Sequence, residues 1–145
     1  MRLITLLLFT FFITNTGFAQ TKKNVLFNEK VQTPKFHNIN ELGDLKKGEL
    51  LKLYIRRIYE IQSVLPFMSL TKEPGTTLSD LGIRENSDNT KILDKYHEVH
   101  TEAFRSTNDM MMEFVAYADT EKIILSILYF EEIIKKLRIG INEDY

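Results

Sequence analysis

From Ser87 to about Tyr117 the apolar and charged residues divide onto two faces of a helix, and no other feature of the chain restricts its fold as strongly. At about 100° per residue, Ile92, Leu93, Tyr96, Val99, His100, Ala103, Phe104, Met110, Met111 and Phe114 share one broad face. Lys91, Lys95, Glu98, Glu102, Arg105, Asp109 and Glu113 occupy the other. A helix patterned in this way stabilises itself by burying its apolar side against a neighbour. Ser87 or Asp88 offers the oxygen that caps its start.

Two further helices supply that neighbour. One starts between Asn40 and Asp44 and runs through Leu70, with Leu51, Tyr54, Ile55, Ile58, Ile61, Leu65 and Met68 on one stripe. Lys52, Arg56, Arg57 and Glu60 fall mainly away from that stripe. Pro66 has no amide to bond back to Gln62, so the helix kinks or breaks there. The other begins at Asp119 or Thr120 and ends near Arg138, with Gly140 as a stop. Ile123, Ile127, Phe130, Ile134 and Leu137 form its core stripe, and residues 123–130 are apolar almost all round. A segment of that kind sits centrally in a bundle or meets another subunit. Central burial is the expectation, and exposed Leu125 and Leu128 would turn it toward self-association.

No alternating pattern builds a sheet, so the fold class is all-α: an up-and-down bundle of three long helices, or four if the first breaks at Pro66. The very short connection after Tyr117 implies that the last two helices form an antiparallel αα-hairpin. Residues 41–145 make up this domain. Residues 20–40, polar and aperiodic with Pro34 in the middle, read as an extended or disordered leader. Residues 1–19 read as a signal peptide: Met1-Arg2, an uncharged run from Leu3 to Ile13, then small residues at Gly17 and Ala19. Cleavage after Ala19 makes the destination periplasmic or secreted. No segment of the remaining chain is long and apolar enough to span a bilayer.

Composition narrows the chemistry. The 145 residues contain no cysteine, which excludes disulfides, thiolate metal sites and a Cys nucleophile. With 19 basic and 20 acidic residues the chain lacks the positive field that nucleic-acid binding uses. Phosphate loops, the H-E-x-x-H pair and the G-x-S-x-G elbow are all missing. Asp94, His97 and His100, spaced three apart on the long helix, form the one cluster with metal-ligating chemistry for copper, zinc or nickel. A second-helix ligand is lacking unless Glu60 or His37 swings in, so structural histidines are the expectation and no cofactor is implied. Met110, Met111 and Met112 point about 100° apart and cannot share an ion. Met110 and Met111 read as core filling, and Met112 lies near the surface.

Two apolar groups lie outside the regular stripes. Leu78, Leu81 and Ile83 punctuate the loop after Pro74-Gly75 and either plug the end of the bundle or meet a partner. Leu125, Leu128 and Tyr129 complete the apolar start of the last helix. The expected function is therefore non-catalytic: an exported bundle that binds another protein or itself. The alternative is a periplasmic metal-binding bundle using Asp94, His97 and His100.

Overall fold

The computed structural model describes residues 24–139. The expected signal segment 1–19, residues 20–23 and residues 140–145, with the expected stop at Gly140, lie outside the described residues. Four α-helices are present among the described residues: α1 (Ile39–Gly43), α2 (Lys47–Val64), α3 (Ser87–Val115) and α4 (Thr120–Ile139). The arrangement is an all-α bundle with no strand among the described residues, and no described helix is long and apolar enough to cross a membrane.

Each helix boundary has a local cause. Asn38 accepts from the Glu41 amide at 3.0 Å while Glu41 accepts from the Asn38 amide at 2.9 Å, a reciprocal box that starts α1. Residues 44–46 then break what the sequence suggests is one helix, and α2 restarts with the Lys46 amide donating to Glu49 at 3.1 Å. At the far end Pro66 takes effect: α2 stops at Val64 and a single 3-10 turn follows (Leu65–Phe67). Asn86, one residue earlier than expected, caps α3 by accepting from Asn89 at 2.9 Å.

Contacts along α2 fix the directions of the other helices. Phe67 lies against Tyr96, Tyr59 against Phe104, and Leu50 and Leu51 share a core with Met112 and Val115, so α3 runs antiparallel to α2. Leu50 and Leu51 also pack with Ile123 and Ile127, Tyr54 with Phe130, and Glu60 with Arg138, so α4 runs parallel to it. The main interface is α2 on α4; α3 and α4 run antiparallel, as expected, but do not pack closely along one another. The central rod is accordingly α2 rather than α4. Leu125 and Tyr129 of α4 reach solvent, while Ile123, Ile127, Ile134 and Leu137 are buried. Central burial of residues 123–130 is therefore overturned: one side of α4 has no neighbour among the described residues.

Two apolar clusters stabilise the bundle. One gathers Leu42, Leu50, Leu51, Ile123, Ile124 and Ile127 at the base. The other gathers Leu26, Phe27, Val31, Val64, Leu78 and Leu93 at the opposite end. The loop of residues 71–86 closes this second end. Gly75 and Gly82 take left-handed backbone angles (φ 76° and 73°) that a side chain would strain. Between them Leu78 is buried and Leu81 and Ile83 pack beside it. Residues 24–27 lie across this loop, the Leu26 amide donating to the Thr76 carbonyl at 2.9 Å and the Gly75 amide to the Phe27 carbonyl at 3.0 Å.

Candidate functional site

Three features compete as the site. The first is a group of buried charges between α2, α4 and the segment preceding α1. Arg57 and Glu131 are each 1 % exposed, as is Glu60. The Arg57 guanidinium donates to Glu131 Oε1 from Nε (2.9 Å) and Nη2 (2.6 Å), to Thr33 Oγ1 (2.9 Å) and to the Lys35 carbonyl (3.1 Å). Glu131 Oε2 accepts from the His37 amide (2.7 Å), and His37 Nδ1 lies 2.9 Å from Oε1, the oxygen that Arg57 holds. Glu60 accepts from the Thr33 amide (2.6 Å) and from Arg138 (2.7 Å), and Arg138 donates onward to the Thr33 carbonyl (2.8 Å). Arg138 lies over the Phe36 ring, 4.9 Å from its centroid.

Charges removed from water persist only where partners offset the desolvation, and here two guanidinium groups face two carboxylates. Burial raises the pKa of Glu131, but the His37 amide and ring and the Arg57 guanidinium outweigh it, and the net shift is below the ordinary carboxylate value. The network holds residues 33–37 against the bundle through backbone groups, so its role is structural. Arg57 and Glu60 are found buried, not on the polar side where the wheel puts them, because α2 is covered on several sides. The one signal in the sequence is Glu131, which sits between Ile127 and Ile134 on the core stripe of α4.

The second feature is a cavity of about 240 Å³ under residues 25–31, walled by Tyr59, Ser63, Tyr96, His97 and His100. Ser63 Oγ, Tyr96 Oη and His100 Nε2 are buried without a protein partner. Groups like these are satisfied by water or a ligand. Burial pushes the Tyr96 phenol above its ordinary value. The Ser63 hydroxyl has no hydrogen-bond partner in the protein.

His97 and His100 both face this cavity, yet the proposed metal triad is not assembled. His97 Nε2 is 3.0 Å from the Val25 carbonyl, His100 stacks on Tyr96, and Asp94 is exposed on the outer side. Among the described residues no three His, Asp or Glu side chains converge on a point that could hold an ion. His37, the proposed extra ligand, is committed to Glu131.

The third feature is α3 itself. In 29 residues it buries a single one, Leu93. The broad apolar face splits in two: Tyr96, His100, Phe104 and Met111 lean toward α2, whereas Ile92 (69 % exposed), Val99, Ala103, Met110 and Phe114 (69 %) face solvent. Met110 is thus surface, and Met112 instead packs on the base core. One helix, α2, cannot cover so wide an apolar arc.

No family model, curated protein or solved structure matches the chain.

The site must therefore be judged on chemistry alone. The charge network is closed on itself, and the Ser63, Tyr96 and His100 polar atoms in the cavity have no hydrogen-bond partner in the protein. The loop trio Leu78, Leu81 and Ile83 is used internally, and the patch on α4 amounts to Leu125 and Tyr129, with Leu128 partly covered. The exposed stripe of α3 carries more exposed large apolar side chains than any other helix among the described residues, and sequence reasoning placed its residues in the core.

Proposed function

We propose that this is an exported, non-catalytic helical-bundle protein that acts by binding a protein chain along α3. The observation that carries the reading is the row of exposed Ile92, Val99, Met110 and Phe114 on one side of a 29-residue helix. Contiguous apolar surface on a water-soluble domain is costly and marks interaction sites. The helix-in-groove and helix-pair modes of recognition read such stripes at i, i+3, i+4 and i+7 spacing. Export is supported by the three-part pattern of residues 1–19.

A photo-activated cross-linking residue placed at Val99 tests the reading in cells. The expected result is a discrete cross-linked species outside the cytosol, lost when Met110 and Phe114 are both changed to Glu. Irradiation that yields only the free chain, or fractionation that recovers it uncleaved inside the cell, refutes the proposal.

A further inference from the structure

We infer that the occupant of the α3 stripe is a second copy of the same helix, lying antiparallel with Ala103 at the two-fold axis. The inference rests on the functional reading above and names its partner. Ile92, Val99, Ala103, Ser106, Met110 and Phe114 follow one another at steps of seven, four, three, four and four, the spacing of a helix-pair seam. All six are exposed, and the seam spans about 33 Å at 1.5 Å per residue.

The two ends of the seam and several charges on its outer flank are complementary in one direction. Turning a second α3 about an axis through Ala103 sets Ile92 of one copy beside Phe114 of the other and Ala103 beside itself, while Val99 comes level with Thr107 and Met110 with the edge of Tyr96. Alanine at the crossing point lets the two backbones approach. The outer flank of the seam carries Lys91 and Lys95 at its start and Glu98, Glu102, Asp109 and Glu113 farther on, with Arg105 among them. In the antiparallel pair Lys95 falls between Asp109 and Glu113 of the second copy, and Arg105 falls beside its Glu102. A parallel pair would instead set this flank against the opposite flank of the second copy, which is turned to its own bundle, and leave these charges without partners across the seam. A membrane surface fits less well, because interfacial helices carry Lys and Arg on this flank and α3 carries mainly carboxylates.

The absence of cysteine makes the geometry directly testable, since each introduced thiol is unique. The protein is expressed from its whole reading frame and purified as the cell processes it. At on the order of 100 μM, enough to fill an interface of micromolar Kd, light scattering should report twice the chain mass. Phe114→Glu should halve that mass with unchanged helical circular dichroism, and Leu125→Glu should leave it at the dimer value. Facing Cα atoms of a close helix pair lie within disulfide range. Under mild oxidation Ala103→Cys should therefore link to itself. Ile92→Cys and Phe114→Cys should each stay monomeric alone and cross-link when mixed.

A monomer at that concentration, self-linking of Ile92→Cys, or dissociation by Leu125→Glu but not by Phe114→Glu overturns the inference. The wider reading then stands or falls separately. Capture of a different chain from Val99 in cells preserves it, and no capture at all removes both.

Discussion

α2 and α3 are neighbours in the same bundle and are held in opposite ways. α2 is surrounded: Leu50, Leu51, Arg57, Glu60, Ser63 and Val64 are all buried on its different sides. α3 is longer by eleven residues and buries one. Helix α2 takes its stability from tertiary contact, including a charge network that works only when every member is present. Helix α3 takes its position from Leu93 and a row of aromatic contacts and leaves an apolar edge in water. Such an edge lowers the solubility of an isolated domain, and on it rests our proposal that a partner covers α3.

Removing one partner from the charge network is the strongest way to break this comparison. Arg57→Met or Glu131→Leu leaves an opposite charge buried and unpaired, an expected loss of about 3–5 kcal/mol in urea denaturation. The double variant should lose clearly less than the sum. A single-variant loss below about 1 kcal/mol contradicts the claim that the network is dry and coupled.

Truncations should separate the two helices' surroundings next. Ile127→Ala, in the base core, is expected to cost about 2–5 kcal/mol. Phe114→Ala, measured at dilution that keeps the chain monomeric, should stay within about 0.5 kcal/mol of the parent. Equal losses at the two sites would show that α3 is buried within one chain after all.

Acid sharpens the same contrast. The Glu131 carboxyl has a folded pKa below its ordinary 4.5, so its contribution is fully present above that value. It is lost as the pH falls through the lower folded value. Thermal melts should show stability dropping on acidification below about 4.5, and Glu131→Gln should flatten that limb. A fall of the same steepness in the variant assigns it to other carboxylates.

The smallest effect is dynamic. Amide exchange in the monomer should be fastest along the Val99 to Met110 stretch of α3 and slowest in α2 near Leu50 and α4 near Ile127. Raising the protein concentration should slow α3 selectively if a second copy covers it. Uniform slowing would point to non-specific association.

What each residue could reveal in advance depended on how many neighbours it has. The helix content, the stop at Pro66, the turns at Gly75 and Gly82 and the α4 stripe of Ile123, Ile127, Ile134 and Leu137 were legible because they follow from local stereochemistry or from one-sided burial. The exposure of Ile92, Val99, Met110 and Phe114 was not, because a wheel orders residues around an axis without saying how wide an arc the neighbours cover. Arg57 and Glu60 were misplaced for the converse reason: polarity reads as exposure until a specific partner is known.

Periodicity and backbone chemistry are properties of nearby residues, and they determined that this chain forms three long helices stabilised without cysteine. Which helix sits in the middle, and which apolar edge is left over, was decided only by tertiary structure. Those outcomes depend on the pairing of Arg57 with Glu131 across 74 positions and of Glu60 with Arg138 across 78. Local sequence carries no record of such distant meetings, because burial of a charge becomes favourable only once its partner is already in place.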